Sequence, residues 1–313
     1  MRIVHSFWSK PMLDDEGKKI SNLSYNNWNN KKMFYCSHVL SFILINKYYK
    51  GKTTLVTDEF GKKLFIDILK LKYDEVIVKL DCLNSYPSKM WALGKIYTYS
   101  LFQEPFIHVD FDFLLSRPFE KSFLEADLVA YMDENDEIRQ KGYRNFVNEY
   151  FINYSLSVDT KRYFFNYQSV AYNAGVFGGN NYNLFKELWR LAEEIISSNK
   201  DAISNDLEQN KESFSMTNVI LEQYLFACLV EERKIEVKCL HQNDNSETDI
   251  LKFRFFEGNL PKYKAMYYPK QYIHMVGYHK GSIDNAINIE RILKEVAPEY
   301  LSLINNLFIK QQI

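Results

Sequence analysis

Hydrophobic and polar positions along the chain switch repeatedly between a two-residue and a helical period. Arg2–Phe7 and Thr53–Thr57 are short β-rich runs, the second ending at Asp58, and Glu75–Leu80 alternates apolar with charged residues as a third strand. Between them, Met33–Lys50 places Val39, Phe42, Ile43 and Tyr49 at helical spacing, and Gly61–Leu71 reads as a second helix. Met90–Phe102 is an amphipathic helix leading into Phe106–Leu115, an apolar run interrupted by Asp110 and Asp112. Its residues Ile107, Val109, Phe111, Phe113, Leu114 and Leu115 predict one strand heading into a buried sheet. Strand–helix repetition with short links implies an α/β fold, a mostly parallel central sheet with helices on both faces. Ligands in such sheets collect at the carboxyl ends of the strands, where Asp58, Asp110 and Asp112 fall.

After Pro118 the pattern loosens. Leu128–Tyr131 predicts a strand and Asp133–Arg144 is densely charged, while Asn145–Tyr172 is rich in Tyr, Phe and Asn with no clean period. This stretch fits an insertion or lid over a site, and equally a plain surface subdomain. Phe185–Ser197 and Thr217–Glu231 predict helices, Lys200–Ser215 reads as a polar loop, and Ile235–Leu240 and Gln271–Val276 read as late strands. There is no internal repeat and no interdomain linker, so a single domain over residues 1–313 is expected.

Composition narrows the class. Of 313 residues 46% are hydrophobic, enough for a sizeable core, and a formal net charge of −1 argues against a nucleic-acid partner. Cys36, Cys82, Cys228 and Cys239 are widely spaced with no CxxC, so neither a zinc site nor a disulfide framework is indicated. The first eight residues are too short and too polar for a secretory leader, and no apolar run approaches the ~20 residues of a membrane-spanning helix. A soluble cytoplasmic protein is the expectation, with peripheral membrane association left open.

Four constellations carry candidate chemistry. Burying one carboxylate is costly and two close together repel, so Asp110 and Asp112 call for a positive partner. Residues i and i+2 of an extended segment share a face, so the pair suits one hard cation; a strand end emerging into solvent is the plain alternative. In Tyr172–Gly179, the Asn173-Ala174-Gly175 run lets backbone pass close to a ligand, with Asn173 able to donate and accept; a tight bulged strand explains it equally. In His274–Gly281, an imidazole fit for a transition metal and the point charge of Lys280 flank a turn at Gly277, although a structural histidine and a solvated lysine are common. Glu222 and Gln223 interrupt an apolar helix, as a site or a core hydrogen bond would. Lys95 reads first as a surface helix lysine and second as a charge near a donor, and Asp58 as a nucleoside contact or a loop cap.

In this order the motifs resemble the GT-A fold glycosyltransferases, and most of all the retaining family that contains glycogenin and the bacterial lipopolysaccharide galactosyl- and glucosyltransferases. The resemblance implies a metal-dependent hexosyltransferase that moves a sugar from a UDP- or GDP-sugar to a glycan or other hydroxyl acceptor, as in polysaccharide biosynthesis. It implies that Asp110, Asp112 and His274 ligate Mn²⁺ or Mg²⁺ and that Lys280 meets the donor diphosphate. Asn173, with Ala174 and Gly175, would face sugar hydroxyls, Gln223 would lie near the anomeric carbon, and the Val4–Trp8 edge would hold the base. On this view residues 1–118 bind nucleotide, 119–285 form the acceptor and insertion half, and 286–313 a C-terminal helix. The chain departs from the family in Glu222 for Asp, Gly281 and Ser282 for Pro and Trp, and His108 for Tyr. Retention is expected, with Gln223 facing the sugar and Glu222 orienting an acceptor hydroxyl or a neighbouring lysine. Two other readings stand beside it. A nucleotidyltransferase would want a Gly-rich basic loop where Ser9-Lys-Pro-Met-Leu-Asp14 stands. A catalytically inactive sugar-nucleotide-binding protein would share the fold.

Overall fold

The computed structural model describes residues 1–13, 28, 30–135, 137–166, 169–209, 216–241, 272–275, 277–310 and 313. Seven strands form the central sheet: β1 (Arg2–Phe7), β2 (Lys52–Thr57), β3 (Glu75–Val78), β4 (Phe106–Val109), β6 (Leu128–Met132), β7 (Val176–Gly179) and β8 (Val237–His241). Their order is β3-β2-β1-β4-β7-β6-β8. β7 alone runs against its neighbours, pairing antiparallel with β4 and β6, while the other pairings are parallel.

Successive residues of a strand face opposite sides, and the core follows that rule. Val4, Val56 and Phe106 pack on one side with the helices Ala92–Ser100, Asn183–Ser198 and Leu225–Arg233. Phe7 and Leu55 pack on the other with helix α1 (Lys31–Tyr48) and the two C-terminal helices. The helices therefore cover both faces. α1 starts where Asn30 caps it, its side chain accepting from Met33 N at 3.1 Å.

The Phe106–Leu115 run is not one strand. β4 stops at Val109, residues 110–112 turn, with Phe113 N donating to Asp110 O at 2.9 Å, and β5 (Phe113–Leu115) leaves the main sheet. β5 pairs antiparallel with β9 (Tyr272–His274), placing Phe113 opposite His274. Every residue from Phe106 to Val109 and from Phe113 to Leu115 is buried, so hydrophobicity gave no sign of the break. Gln271 and Val276, the ends of the expected late strand, lie outside the described residues.

Other expectations also change. The charged and aperiodic stretches after β6 contain helices Glu137–Tyr150 and Val158–Asn166, and the expected polar loop contains the helix Lys200–Gln209; 210–215 lie outside the described residues. The helix Gly61–Leu71 starts earlier, at Glu59, and continues as a π-helix over Lys63–Ile68. The single C-terminal helix is two, Ile283–Val296 and Pro298–Ile309, because the residue before a proline is pushed out of the helical region; Ala297 has φ −157° and ψ 66°. No helix among the described residues is long and apolar enough to cross a membrane.

Candidate metal centre

The turn at the end of β4 is held from below by polar residues in the otherwise apolar α1. Ser37 Oγ donates to Phe111 O at 3.0 Å and Ser41 Oγ to Phe113 O at 2.7 Å. The ring of Phe111 stacks on His5 (4.3 Å between centroids), His38 (4.5 Å) and Phe65 (5.0 Å). Burial drives the His38 pKa down to about 3 and that of His5 well below its ordinary value, so both are neutral stacking partners. Two backbone bonds finish the clamp: Asp110 N to Gly175 O at 3.0 Å and Met275 N to Asp112 O at 3.1 Å. With Phe111 anchored between them, Asp110 and Asp112 reach the same space without lying on one extended strand.

Into that space β9 delivers His274. Its Nε2 lies 3.4 Å from Asp110 Oδ2 and 3.2 Å from Asp112 Oδ1, and one ligand atom from each residue falls within 4.8 Å of the others. Asp112 Oδ1 is buried and has no well-aligned hydrogen bond among the described residues. Two carboxylates and an imidazole are a hard-to-borderline donor set, which fits Mn²⁺ or Mg²⁺.

Two ammonium groups flank the cluster. Lys95 Nζ is 3.0 Å from Asp110 Oδ1, and Lys280 Nζ is 2.5 Å from Asp112 Oδ2. Burial alone would raise the carboxyl pKa values; Lys95 for Asp110 and Lys280 for Asp112, with His274 between, instead hold both well below the usual carboxylate range. Burial likewise lowers His274, but Asp112 and Asp110 reverse this and lift it to about 9. Without an ion the imidazole is therefore protonated and serves as the cation between the carboxylates.

Lys95 is not a surface residue. Its side chain is only 15% exposed and bridges Asp110, Ala174 O at 3.3 Å and Glu222 Oε1 at 2.9 Å. Glu222 is wholly buried and also accepts from Tyr99 Oη at 2.6 Å; burial raises its pKa despite the adjacent ammonium. It orients a lysine. Gln223 sits beside it in a π-helical turn over Ile220–Tyr224, and its Oε1 is buried without a hydrogen bond among the described residues. Such turns widen a helix and often occur at functional sites.

Asn173 is bound within the cluster. Its Oδ1 accepts from Gly175 N at 3.0 Å and meets His274 Nδ1 at 2.8 Å. Gly175 is there for clearance: a Cβ would come within 2.2 Å of His274 Nδ1. Gly277, with φ +53°, makes the turn between His274 and Lys280, a backbone state glycine adopts without penalty. Lys280 is buried rather than solvated, with Nζ 5.9 Å from the Trp28 ring centroid. Asp58 stands apart as a cap, Oδ1 accepting from Gly61 N at 2.8 Å and Oδ2 from Ser9 N and Oγ at 2.7 and 2.6 Å. His108 on β4 meets Ser6 Oγ at 2.8 Å and is neutral, burial lowering its pKa to about 3. Ser37, Ser41, Tyr99 and Glu134 were not singled out from the sequence; the serines interrupting a buried helix were the available signal.

The chain belongs to a family of unknown function (DUF6734), whose model matches residues 1–307. No curated protein matches it.

Proposed function

We propose that this protein is a metal-dependent glycosyltransferase that takes its sugar from a nucleotide-sugar donor and retains the anomeric configuration. The observation that carries this reading is the convergence of Asp110, Asp112 and His274 beside Lys280 at the carboxyl end of a central parallel strand. A divalent ion held by these three residues would neutralise charge growing on a departing diphosphate. Lys280, which pairs with Asp112, would supply a second positive charge for the diphosphate. Lys95, held by Glu222, places a third beside Asp110. Glu222 is tied to Lys95 and Tyr99, and Gln223 beside it offers an amide and not a carboxylate, which supports retention.

Calorimetric titration with UDP and GDP, first in EDTA and then in Mn²⁺, tests the proposal. Binding of one nucleotide only with the ion is expected, and Asp112→Ala should remove both the ion requirement and the affinity. Equal affinity in the two buffers would sink the metal assignment.

A further inference from the structure

His274 is linked to a buried chain of polar side chains that the proposed reaction does not use. Asn173 Oδ1 accepts the backbone N–H of Gly175, a group that can only donate, and this fixes which end of the amide is oxygen. The same oxygen meets His274 Nδ1 at 2.8 Å, so Nδ1 is the ring nitrogen that carries hydrogen. When the ring is neutral its lone pair is therefore on Nε2, the atom turned to Asp110 and Asp112.

What orients Asn173 is Glu134. Asn173 Nδ2 donates to Glu134 Oε1 at 3.3 Å, the Tyr143 hydroxyl donates to Glu134 Oε2, and Arg139 lies 3.7 Å from Oε1. Glu134 is 7% exposed. Its backbone is pinned as well: Glu134 N donates to Ala171 O at 2.8 Å and Asn173 N to Met132 O at 2.9 Å. Tyr143 and Arg139 belong to the helix Glu137–Tyr150, so this helix reaches the ligand set through one carboxylate.

The geometry points to Glu134 as a positioning residue for the metal centre: through Asn173 it fixes the tautomer and ring orientation of His274, and the helix Glu137–Tyr150 holds it in place. The inference rests on the metal reading above and extends it to a residue that touches neither ion nor substrate. Residues behind a metal-bound histidine typically set about 10–100-fold in metal affinity.

Mn²⁺ titration of wild type, Glu134→Gln and Glu134→Ala tests it, with thermal unfolding as the check on folding. Glu134→Gln keeps the shape but loses the charge and should bind about tenfold more weakly; Glu134→Ala should lose about a hundredfold. Long-range ¹H–¹⁵N NMR of the Zn²⁺-loaded protein, with His274→Gln to assign the ring, reads the tautomer directly. A protonated Nδ1 in wild type that exchanges faster in Glu134→Ala is expected, and a merely structural carboxylate would not move that signal. If Glu134→Ala does not fold, Glu134→Gln decides alone. Wild-type affinity and an unchanged ring signal in a folded variant would overturn the inference while leaving the metal reading intact. A wild type that binds no ion would overturn both.

Discussion

His274 is the residue on which ion-free and ion-bound forms diverge. Its pKa, about 9, lies above the ordinary 6.5, so its contribution to folding stability is complete below pH 6.5 and lost as pH rises through about 9. A bound ion needs the neutral ring, so each ion must displace a proton below pH 9. Mn²⁺ affinity is therefore expected to rise by up to about tenfold per pH unit between pH 6.5 and 8.5 and to level off above 9. Titrations in buffers of different ionisation enthalpy would count the released proton, and affinity flat across that range would refute the assignment. Lys280 gives a second test at this scale. Lys280→Ala should slow donor-sugar hydrolysis by roughly 10²–10³-fold, the usual scale for one lost electrostatic stabiliser. The side chain is 8% exposed and paired with Asp112, so the variant should also lose about 1–3 kcal/mol of stability in EDTA, part of it restored by Mn²⁺. Unchanged hydrolysis in a folded variant would remove Lys280 from the reaction.

At the scale of elements, the site is a junction between the main sheet and the small β5–β9 ribbon, and β7 supplies the clearance. Gly175, immediately before Val176–Gly179, leaves no room for a side chain: an added Cβ would lie 2.2 Å from His274 Nδ1 and 2.4 Å from Cγ. Gly175→Ala must displace the imidazole, so Mn²⁺ affinity should fall at least tenfold, the scale for disturbing a ligand's support. Titration of the folded variant reads this directly, and wild-type affinity would show that the ring has slack. The same junction explains what was legible beforehand. The first three strands and their helices showed as switches of hydrophobic period. The break after Val109 did not, because both flanking segments are buried throughout. Glu137–Tyr150 and Lys200–Gln209 were obscured by polar composition, since a helix with few apolar residues shows little apolar periodicity. Asp110, Asp112, His274 and Lys280 stood out as short motifs. The burial of Lys95 did not, because its partner Glu222 is distant in the chain and only the fold brings them together.

For the whole molecule, strands from both halves join one sheet: β6, β7 and β8 continue from β4, so the expected nucleotide and acceptor halves share a backbone framework. The stereochemical outcome depends on how that framework uses its carboxylates. An inverting enzyme needs one free to take the acceptor proton. Glu222 is wholly buried with its Oε1 held by Lys95 at 2.9 Å and Tyr99 at 2.6 Å, which ties this carboxylate to an ammonium; its Oε2, like Gln223 Oε1, is buried without a hydrogen bond among the described residues. The expected outcome is therefore retention, an α-linked donor giving an α-linked product, read from the anomeric coupling constant by NMR. A β-linked product would show inversion and pass the base role to Asp133, whose buried Oδ1 also makes no hydrogen bond among the described residues. Asp133→Asn would then abolish transfer while leaving Mn²⁺ binding intact, because Asp133 is not among the three residues that converge on the ion site.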